Sequence, residues 1–160
     1  MKNKPEKIVE KIQQAFELYH RLAIIVGPSG VGKTAVLREI HQKQKIPLIN
    51  VGLLLSKHVL ELTEKQRMIQ VVRLLENIVS DTKEDIVLLD NIEILFDTAL
   101  KLNPFSVLKK LSRSNTIAAS WNGMVEDGYL IYAVPEHPEY RRDKIEDTII
   151  VNLMMNEGTI

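Results

Sequence analysis

The stretch Leu22–Thr34 reads LAIIVGPSGVGKT, an apolar run that passes directly into a glycine-rich segment. Its last eight residues match the pattern G-x-x-x-x-G-K-[ST] at every fixed position. The apolar run is typical of a buried strand in a parallel sheet. After it, Val36, Leu37 and Ile40 have helical spacing. We therefore predict a strand, a tight loop and a helix in this order, which is the context that a phosphate-binding loop (P-loop) requires.

Each fixed residue of this loop has a physical role beside a phosphate chain. Gly30 and Gly32 permit a close backbone approach, so that successive N–H groups can converge on phosphate oxygens. Pro28 has no N–H, so the donors come mainly from Gly30 onward. We expect Lys33, as an exposed loop cation, to reach the β- and γ-phosphates, and the Thr34 hydroxyl to ligate Mg²⁺. The predicted nucleotide-binding residues are Gly27, Pro28, Ser29, Gly30, Val31, Gly32, Lys33, Thr34 and Ala35.

An acidic residue elsewhere in the chain supplies the second half of the predicted site. The apolar run Ile86–Leu89 (IVLL) ends on Asp90, which places this carboxylate at the carboxyl end of a buried strand. There it can hold Mg²⁺, often through water, together with Thr34. The predicted cofactors are therefore ATP, or another nucleoside triphosphate, and Mg²⁺.

The residues after Asp90 bear on how water would be activated. Asn91 stands where many P-loop ATPases carry Glu, and an amide orients water but does not accept its proton. Glu93 is the alternative base, or else simply an acidic residue in the first turn of a helix. Asn122 ends the next predicted strand and can contact the γ-phosphate or the water, or serve only as a turn residue. Ser120 is a further candidate for the same contact.

Two arginines follow the proline-bearing stretch Pro135–Tyr140. Arg141 or Arg142 can reach the γ-phosphate of a neighbouring subunit as an arginine finger. The alternative is a surface ion pair with Glu139, Asp143 or Glu146. The catalytic candidates are Lys33, Asn91, Glu93, Asn122, Arg141 and Arg142, and the metal-ligand candidates are Thr34 and Asp90.

The rest of the chain alternates between helical and strand patterns. We predict a first helix over about residues 5–20, with an apolar stripe of Ile8, Ile12, Ala15, Phe16 and Tyr19. The remaining predicted elements are strands at Pro47–Val51, Thr116–Trp121 and Thr148–Leu153, helices from Thr63, over Glu93–Lys101 and from Asn103-Pro104, a turn at Asn122–Gly128 and a hairpin return through Tyr129–Val134. This alternation predicts an α/β fold, a three-layer P-loop NTPase domain with a mainly parallel central sheet.

Length and composition limit the possible functions. The 160 residues suit a single domain, 1–160, with a nucleotide-binding core over about 21–154. The absence of cysteine excludes disulfides, thiolate zinc sites and cysteine nucleophiles. Lys plus Arg and Asp plus Glu both number 21, so charge does not indicate nucleic-acid binding. Because Met1–Glu10 is polar and no long apolar run exists, we expect a cytoplasmic protein that contacts no membrane.

Several blocks of the sequence together resemble the BrxF family, small P-loop proteins encoded in BREX phage-exclusion operons. The blocks are Val26–Thr34, Leu60–Arg67, Val87–Phe96, Ser120–Gly123 and Gly128–Arg142, and they span almost the whole chain. The resemblance implies an AAA-like ATPase core that acts in bacterial antiviral defence, with itself and other BREX proteins as partners. The residues of this chain that match the family's functional motif are Lys33, Thr34, Asp90, Asn91, Glu93, Asn122, Arg141 and Arg142. We expect no helical lid domain after the last strand.

Three functions fit these observations. The first is an oligomeric ATPase that uses ATP to switch an assembly with itself or a partner. The second is a nucleotide-binding adaptor with little hydrolysis, which Asn91 favours. The third is a small P-loop kinase, although no arginine-rich lid or acceptor site is apparent. Thr82–Asp85 (TKED) resembles a guanine-reading motif, but it precedes the Asp90 strand instead of following it, so we interpret it as a charged loop.

Overall fold

A computed structural model of the chain describes residues 3–59 and 62–154. Leu60 and Glu61, which open the Leu60–Arg67 block, lie outside the described residues. The α-helices are α1 Lys4–Gln14, α2 Lys33–Gln44, α3 Val51–Val59, α4 Glu64–Asp81 and α5 Pro104–Leu111. Short 3-10 helices cover Ala15–Glu17, Ile92–Phe96 and Thr98–Leu100. The strands are β1 Leu22–Gly27, β2 Leu48–Asn50, β3 Ile86–Asp90, β4 Thr116–Asn122, β5 Met124–Glu126, β6 Tyr129–Tyr132, β7 Arg141–Lys144 and β8 Ile149–Asn152.

Five parallel strands form the central sheet, in the order β2-β3-β4-β1-β8. All six residues of β1 are buried between β4 and β8, which explains the unbroken apolar run in the sequence. The register pairs Gly27 with Asn122 and Asn50 with Asp90. The carboxyl ends of β1, β2, β3 and β4 therefore meet at one edge of the sheet, where ligands of open α/β sheets bind.

Helices cover both faces of the central sheet. On one face, Ile8 and Ile12 of α1 and Leu37 of α2 pack against Ile25 and Leu88. On the other face, side chains of α3, α4 and α5 pack against the alternate strand residues. The members of this second core include Leu55, Val71, Leu75 and Leu108 with Ile24, Leu89 and Ile117. The predicted three-layer α/β architecture with a mainly parallel sheet is thereby confirmed.

A second sheet of three antiparallel strands, β5-β6-β7, is inserted between β4 and β8. Trp121 anchors it: the indole Nε1 donates to the Ile131 carbonyl oxygen at 3.1 Å. The Trp121 ring also meets the rings of Phe96 and Tyr132 edge to face, with centroids 5.0 and 6.3 Å away. A Cβ at Gly123 would lie only 1.9 Å from the Ile131 oxygen, so the connection between the two sheets requires glycine.

The first helix is shorter than the sequence predicts. It ends at Gln14, and the chain continues through one 3-10 turn. Phe16 and Tyr19, assigned to the buried stripe, are exposed, Tyr19 to 72%. The backbone N–H of His20 donates to Asp147 Oδ2 at 3.0 Å, and a longer helix would use that N–H internally. The turn towards β1 thus ends the helix before its apolar pattern ends.

Other local predictions were also wrong. Val51–Val59 is a helix that the sequence did not predict, and Asn50 Oδ1 accepts from the Leu53 N–H at its start. The predicted helix over Glu93–Lys101 is two 3-10 helices instead. The predicted turn at Asn122–Gly128 contains β5, and β7 was not predicted. The predicted hairpin return through Tyr129–Val134 is confirmed, because β6 pairs antiparallel with β5. Within the described ranges, no helix has the length and apolarity needed to cross a bilayer.

Candidate nucleotide-binding site

A cavity of about 240 Å³ lies at the carboxyl edge of the central sheet. The loop after β1, the start of α2 and the ends of β3 and β4 contribute to its wall. The lining residues are Ser29, Gly30, Gly32, Lys33, Thr34, Ala35, Asp90, Asn91, Glu93 and Asn122. The structure therefore brings together residues that the sequence assigned to nucleotide binding, metal binding and catalysis, from three separate parts of the chain.

The loop after β1 has the backbone form that its glycines allow. Gly30 and Gly32 have φ angles of +86° and +104°, which residues with side chains rarely adopt. The Val31 N–H donates to the Pro28 oxygen at 3.3 Å, which closes a turn. A Cβ on Gly27 would lie 2.7 Å from Val31 Cγ1, so the loop is closely packed at its base. Twelve-residue α2 then starts at Lys33 and directs its amino terminus at the cavity.

Lys33 is 6% exposed, so the expectation of an exposed loop cation was wrong. Its Nζ donates to the carbonyl oxygens of Gly27 at 2.7 Å and Pro28 at 2.8 Å. Burial lowers the pKa of Lys33, and the nearby carboxylates of Glu93 and Asp90 oppose that shift. The Gly27 oxygen also accepts from the Gly123 N–H at 3.1 Å. The ammonium group is thus held by its own loop, at the place where a phosphate chain would bind.

Asp90 receives a hydroxyl hydrogen bond at each of its carboxylate oxygens. Thr34 Oγ1 donates to Oδ2 at 2.8 Å, and Ser120 Oγ donates to Oδ1 at 2.6 Å. Side chains alternate along β3 and β4, so Asp90 and Ser120 lie on the sheet face that α2 covers. From the sequence, Ser120 was a candidate contact to phosphate or water. In the structure, its hydroxyl instead donates a hydrogen bond to Asp90.

Glu93 returns to the cavity because the chain bends sharply after β3. Asn91 has a φ of +54° and precedes the 3-10 helix Ile92–Phe96, so Glu93 lies in the first turn of that helix and also lines the cavity. Its predicted place in the first turn of a helix is confirmed, and its role as a base stays a prediction. The Asn122 amide Nδ2 donates to Glu93 Oε1, which joins the end of β4 to the segment after β3. Asn91 also lines the cavity.

Arg141 and Arg142 lie on β7, and neither lines this cavity. Arg141 Nη2 lies 3.5 Å from Asp143 Oδ1, which is one of the ion pairs that the sequence offered as an alternative. The guanidinium of Arg142 stacks over the Tyr129 ring at 3.4 Å. Both arginines therefore have partners on the second sheet, away from the site that the other candidates share.

Sequence reasoning missed Tyr132, which connects the second sheet to the Glu93 segment. Its ring stacks on Phe96 with centroids 3.6 Å apart. Burial raises the pKa of Tyr132 to about 12, and the charges of Glu139 and Glu93 act in the same direction. The apolar and aromatic run Tyr129–Tyr132 indicates a strand, but it does not identify which ring Tyr132 contacts.

A comparison of the sequence with models of known protein families identifies one family. The model described as "ATPase family associated with various cellular activities (AAA)" matches residues 23–120, which is more than half of the chain. A solved structure titled as that of C. elegans PCH-2 is similar, with 17% identity and a TM-score of 0.46. That match covers 77% of this chain and 38% of the PCH-2 chain, so the protein spans well under half of its length. No curated protein matches the sequence.

Proposed function

The chain belongs to the AAA family of ATPases and has the ATP-binding P-loop domain of that family, and on this premise we propose that it uses ATP hydrolysis to switch an oligomeric assembly. The observation that carries the proposal is one cavity lined by Lys33, Thr34, Asp90, Glu93 and Asn122. These side chains supply a phosphate-binding cation, two oxygen donors for a metal, a carboxylate base and an amide, all at the amino terminus of α2.

The residues at the head of α2 fit a bound Mg²⁺. Thr34 Oγ1 and Asp90 Oδ2 are 2.8 Å apart, and hydroxyl and carboxylate oxygens are ligands that this cation prefers. Magnesium, when bound, offsets the charge of the β- and γ-phosphates. The loop amides from Gly30 onward bind phosphate oxygens, and Lys33 leaves the carbonyls of its loop to do the same.

In this proposal Glu93 accepts a proton from the attacking water. Asn122 holds the Glu93 carboxylate by its amide N–H, and Asn91 helps to orient the water. The adaptor with little hydrolysis remains the alternative function, because two observations favour it. Lys33 is bound to its own loop, and Glu93 is bound to Asn122. In the adaptor, both bonds persist after ATP binds, and hydrolysis stays slow.

The proposed setting is a BREX antiphage system in the bacterial cytoplasm, with other copies of this chain and other BREX proteins as partners. The resemblance in sequence blocks supports it. One specific block, Asp90–Glu93, lies at the cavity, while the other, His137–Arg142, lies on the second sheet and the loop before β7. We expect a Lys33→Ala allele to abolish phage protection by a complete BREX operon, and unchanged protection would contradict this setting.

Phosphate release from Mg-ATP, measured across a wide range of protein concentration, tests the switch. A specific rate that rises with concentration supports sites completed between subunits. A rate that stays near zero despite tight ATP binding supports the adaptor. A constant, appreciable rate contradicts the oligomeric switch, because each chain then works alone. Sedimentation with and without a slowly hydrolysed ATP analogue gives the assembly state directly.

We expect Lys33→Ala to weaken ATP binding about a hundredfold, since charge-assisted bonds to phosphate contribute about 3 kcal/mol. Titration of a fluorescent ATP analogue measures this. Lys43 is the matched control: it lies on the same helix, is exposed, and pairs with Glu39 at 2.7 Å. Lys43→Ala leaves ATP affinity unchanged. If Lys33→Ala binds ATP as tightly as the wild type, the proposed phosphate site is wrong.

A further inference from the structure

We infer that Ser120 is the positioning residue for Asp90, and that its hydroxyl determines which carboxylate oxygen faces Mg²⁺. The inference rests on the proposed nucleotide site and assigns a role within it to a side chain that does not line the cavity. It replaces the expectation that Ser120 touches phosphate or water.

The parallel register brings the two side chains together. Leu89 pairs with Ala119, so the next residues along the two strands, Asp90 and Ser120, lie side by side and point to the same face. The 2.6 Å bond from the Ser120 hydroxyl to Oδ1 is the result. Because Thr34 donates to the other oxygen, the plane of the carboxylate is fixed from both sides.

Burial gives this bond its importance. Ser120 is 2% exposed and Asp90 is 7% exposed. A carboxylate oxygen that is removed from water and left without a donor loses more free energy than a normal hydrogen bond contributes, so Oδ1 depends on Ser120. Asn122, two residues further along the same strand face, lines the cavity, whereas Ser120 lies behind Asp90. Ser120 therefore acts through Asp90 and not on the ligand.

The arrangement divides the two oxygens of Asp90 between two tasks. Ser120 occupies Oδ1 on the buried side, which leaves Oδ2, beside the Thr34 hydroxyl, as the oxygen that faces the metal. Without the Ser120 hydroxyl, the carboxylate can rotate and place either oxygen there. The loop amides and Lys33 do not depend on this bond. Loss of the hydroxyl is thus expected to weaken Mg²⁺ binding and to spare metal-free ATP binding.

Binding of a fluorescent ATP analogue in EDTA and across a Mg²⁺ titration tests the inference. We expect Ser120→Ala to raise the half-saturating Mg²⁺ concentration about tenfold and to leave the affinity in EDTA within about twofold, as for the loss of other groups that orient metal ligands. Ser120→Thr keeps the hydroxyl and restores most of the Mg²⁺ affinity. Ser120→Cys keeps a side chain of similar size, but its thiol is a weak hydrogen-bond donor. If the alanine variant does not fold, a raised Mg²⁺ requirement in Ser120→Cys tests the same inference.

Ser112→Ala is the matched control. Ser112 is a fully buried serine whose hydroxyl donates to the Lys109 oxygen at 2.7 Å. It lies beside Arg21, before β1, at the opposite edge of the central sheet. We expect this control to keep the wild-type Mg²⁺ requirement.

Two results would overturn the role of Ser120 alone: an unchanged Mg²⁺ requirement in a folded Ser120→Ala or Ser120→Cys variant, or an equal change in Ser112→Ala. A wild-type protein that binds ATP with no response to Mg²⁺ would instead overturn the proposed metal site, and the role of Ser120 with it. Normal Mg²⁺ dependence in the wild type together with a tenfold shift in Ser120→Ala alone supports the inference.

Discussion

The two sheets of this molecule hold their charged side chains in opposite ways. At the edge of the central sheet, Lys33, Asp90 and Glu93 line one cavity. Asp90 and Glu93 accept hydrogen bonds from elements that are distant in sequence, and Lys33 donates to its own loop. On the second sheet, Arg141 and Arg142 contact Asp143 and Tyr129, which belong to the same small sheet. The first set lines one cavity within the chain, whereas the second set lies outside that cavity.

The largest effect expected from this contrast concerns the second sheet. We expect at least one of Arg141→Ala and Arg142→Ala to lower ATP turnover about a thousandfold, the effect of removing an arginine finger, with ATP affinity unchanged. Phosphate release at high protein concentration measures it. Arg73→Ala, which removes an exposed arginine from α4, is the control and keeps full turnover. Full activity in both variants would mean that Arg141 and Arg142 serve only to contact Asp143 and Tyr129 on the second sheet.

A mixing experiment sharpens the same prediction. The double variant Arg141→Ala, Arg142→Ala keeps its own cavity, and Lys33→Ala keeps its arginines. If sites form between subunits, the mixture of these two inactive proteins recovers turnover, because some sites then combine an intact cavity with an intact arginine. No recovery in mixed oligomers would argue against a shared site.

The next largest effect concerns the central cavity. We expect Glu93→Gln to lower turnover about a hundredfold and to leave ATP binding unchanged, because an amide cannot accept the proton of the attacking water. Asn91→Gly is the comparison, since glycine tolerates the positive φ at this position and removes only the side chain. If Asn91→Gly lowers the single-turnover rate more than Glu93→Gln does, then Asn91, and not Glu93, makes the larger contribution to activating the water.

The smallest effect concerns the contact between the two regions. Because the folded-state pKa of Tyr132 is about 12, the unfolded chain loses this proton first as pH rises. The resulting contribution to stability is complete below about pH 10 and is lost as pH approaches about 12. Between about pH 9 and 11, we expect the free energy of unfolding to fall by roughly 1 kcal/mol more in the wild type than in Tyr132→Phe. Urea titrations at the two pH values measure this, and equal slopes would contradict it.

The central sheet was predictable because its strands are buried on both faces. Such strands give unbroken apolar runs, as in Leu22–Val26 and Ile86–Leu89, and the glycine-rich loop fixes the order of strand and helix. The second sheet gave little signal. Strand β7 reads RRDK, and β5 has three residues, so neither shows the apolar alternation that identifies a strand.

Most of the residues that line the cavity were predictable from the sequence, but the hydrogen bonds that they make were not. The motif identifies Lys33 by its role with a ligand, so its bonds to two carbonyls of its own loop could not be read from it. The Asn122–Glu93 bond joins residues 29 positions apart and depends on the bend at Asn91 and on the strand order. The Ser120–Asp90 bond depends on the register of β3 and β4, which no local pattern specifies.

The carbonyl oxygen of Gly27 has a consequence for how nucleotide enters and leaves. It accepts from Lys33 Nζ and from the Gly123 N–H, so it keeps one partner when the lysine turns to a phosphate. Gly123 connects the central sheet to the second sheet, so this remaining hydrogen bond ties the start of the loop to that connection. We therefore expect Lys33 to turn to a phosphate by a change of side-chain rotamer, without leaving the Gly27 oxygen unpaired in the base of the loop.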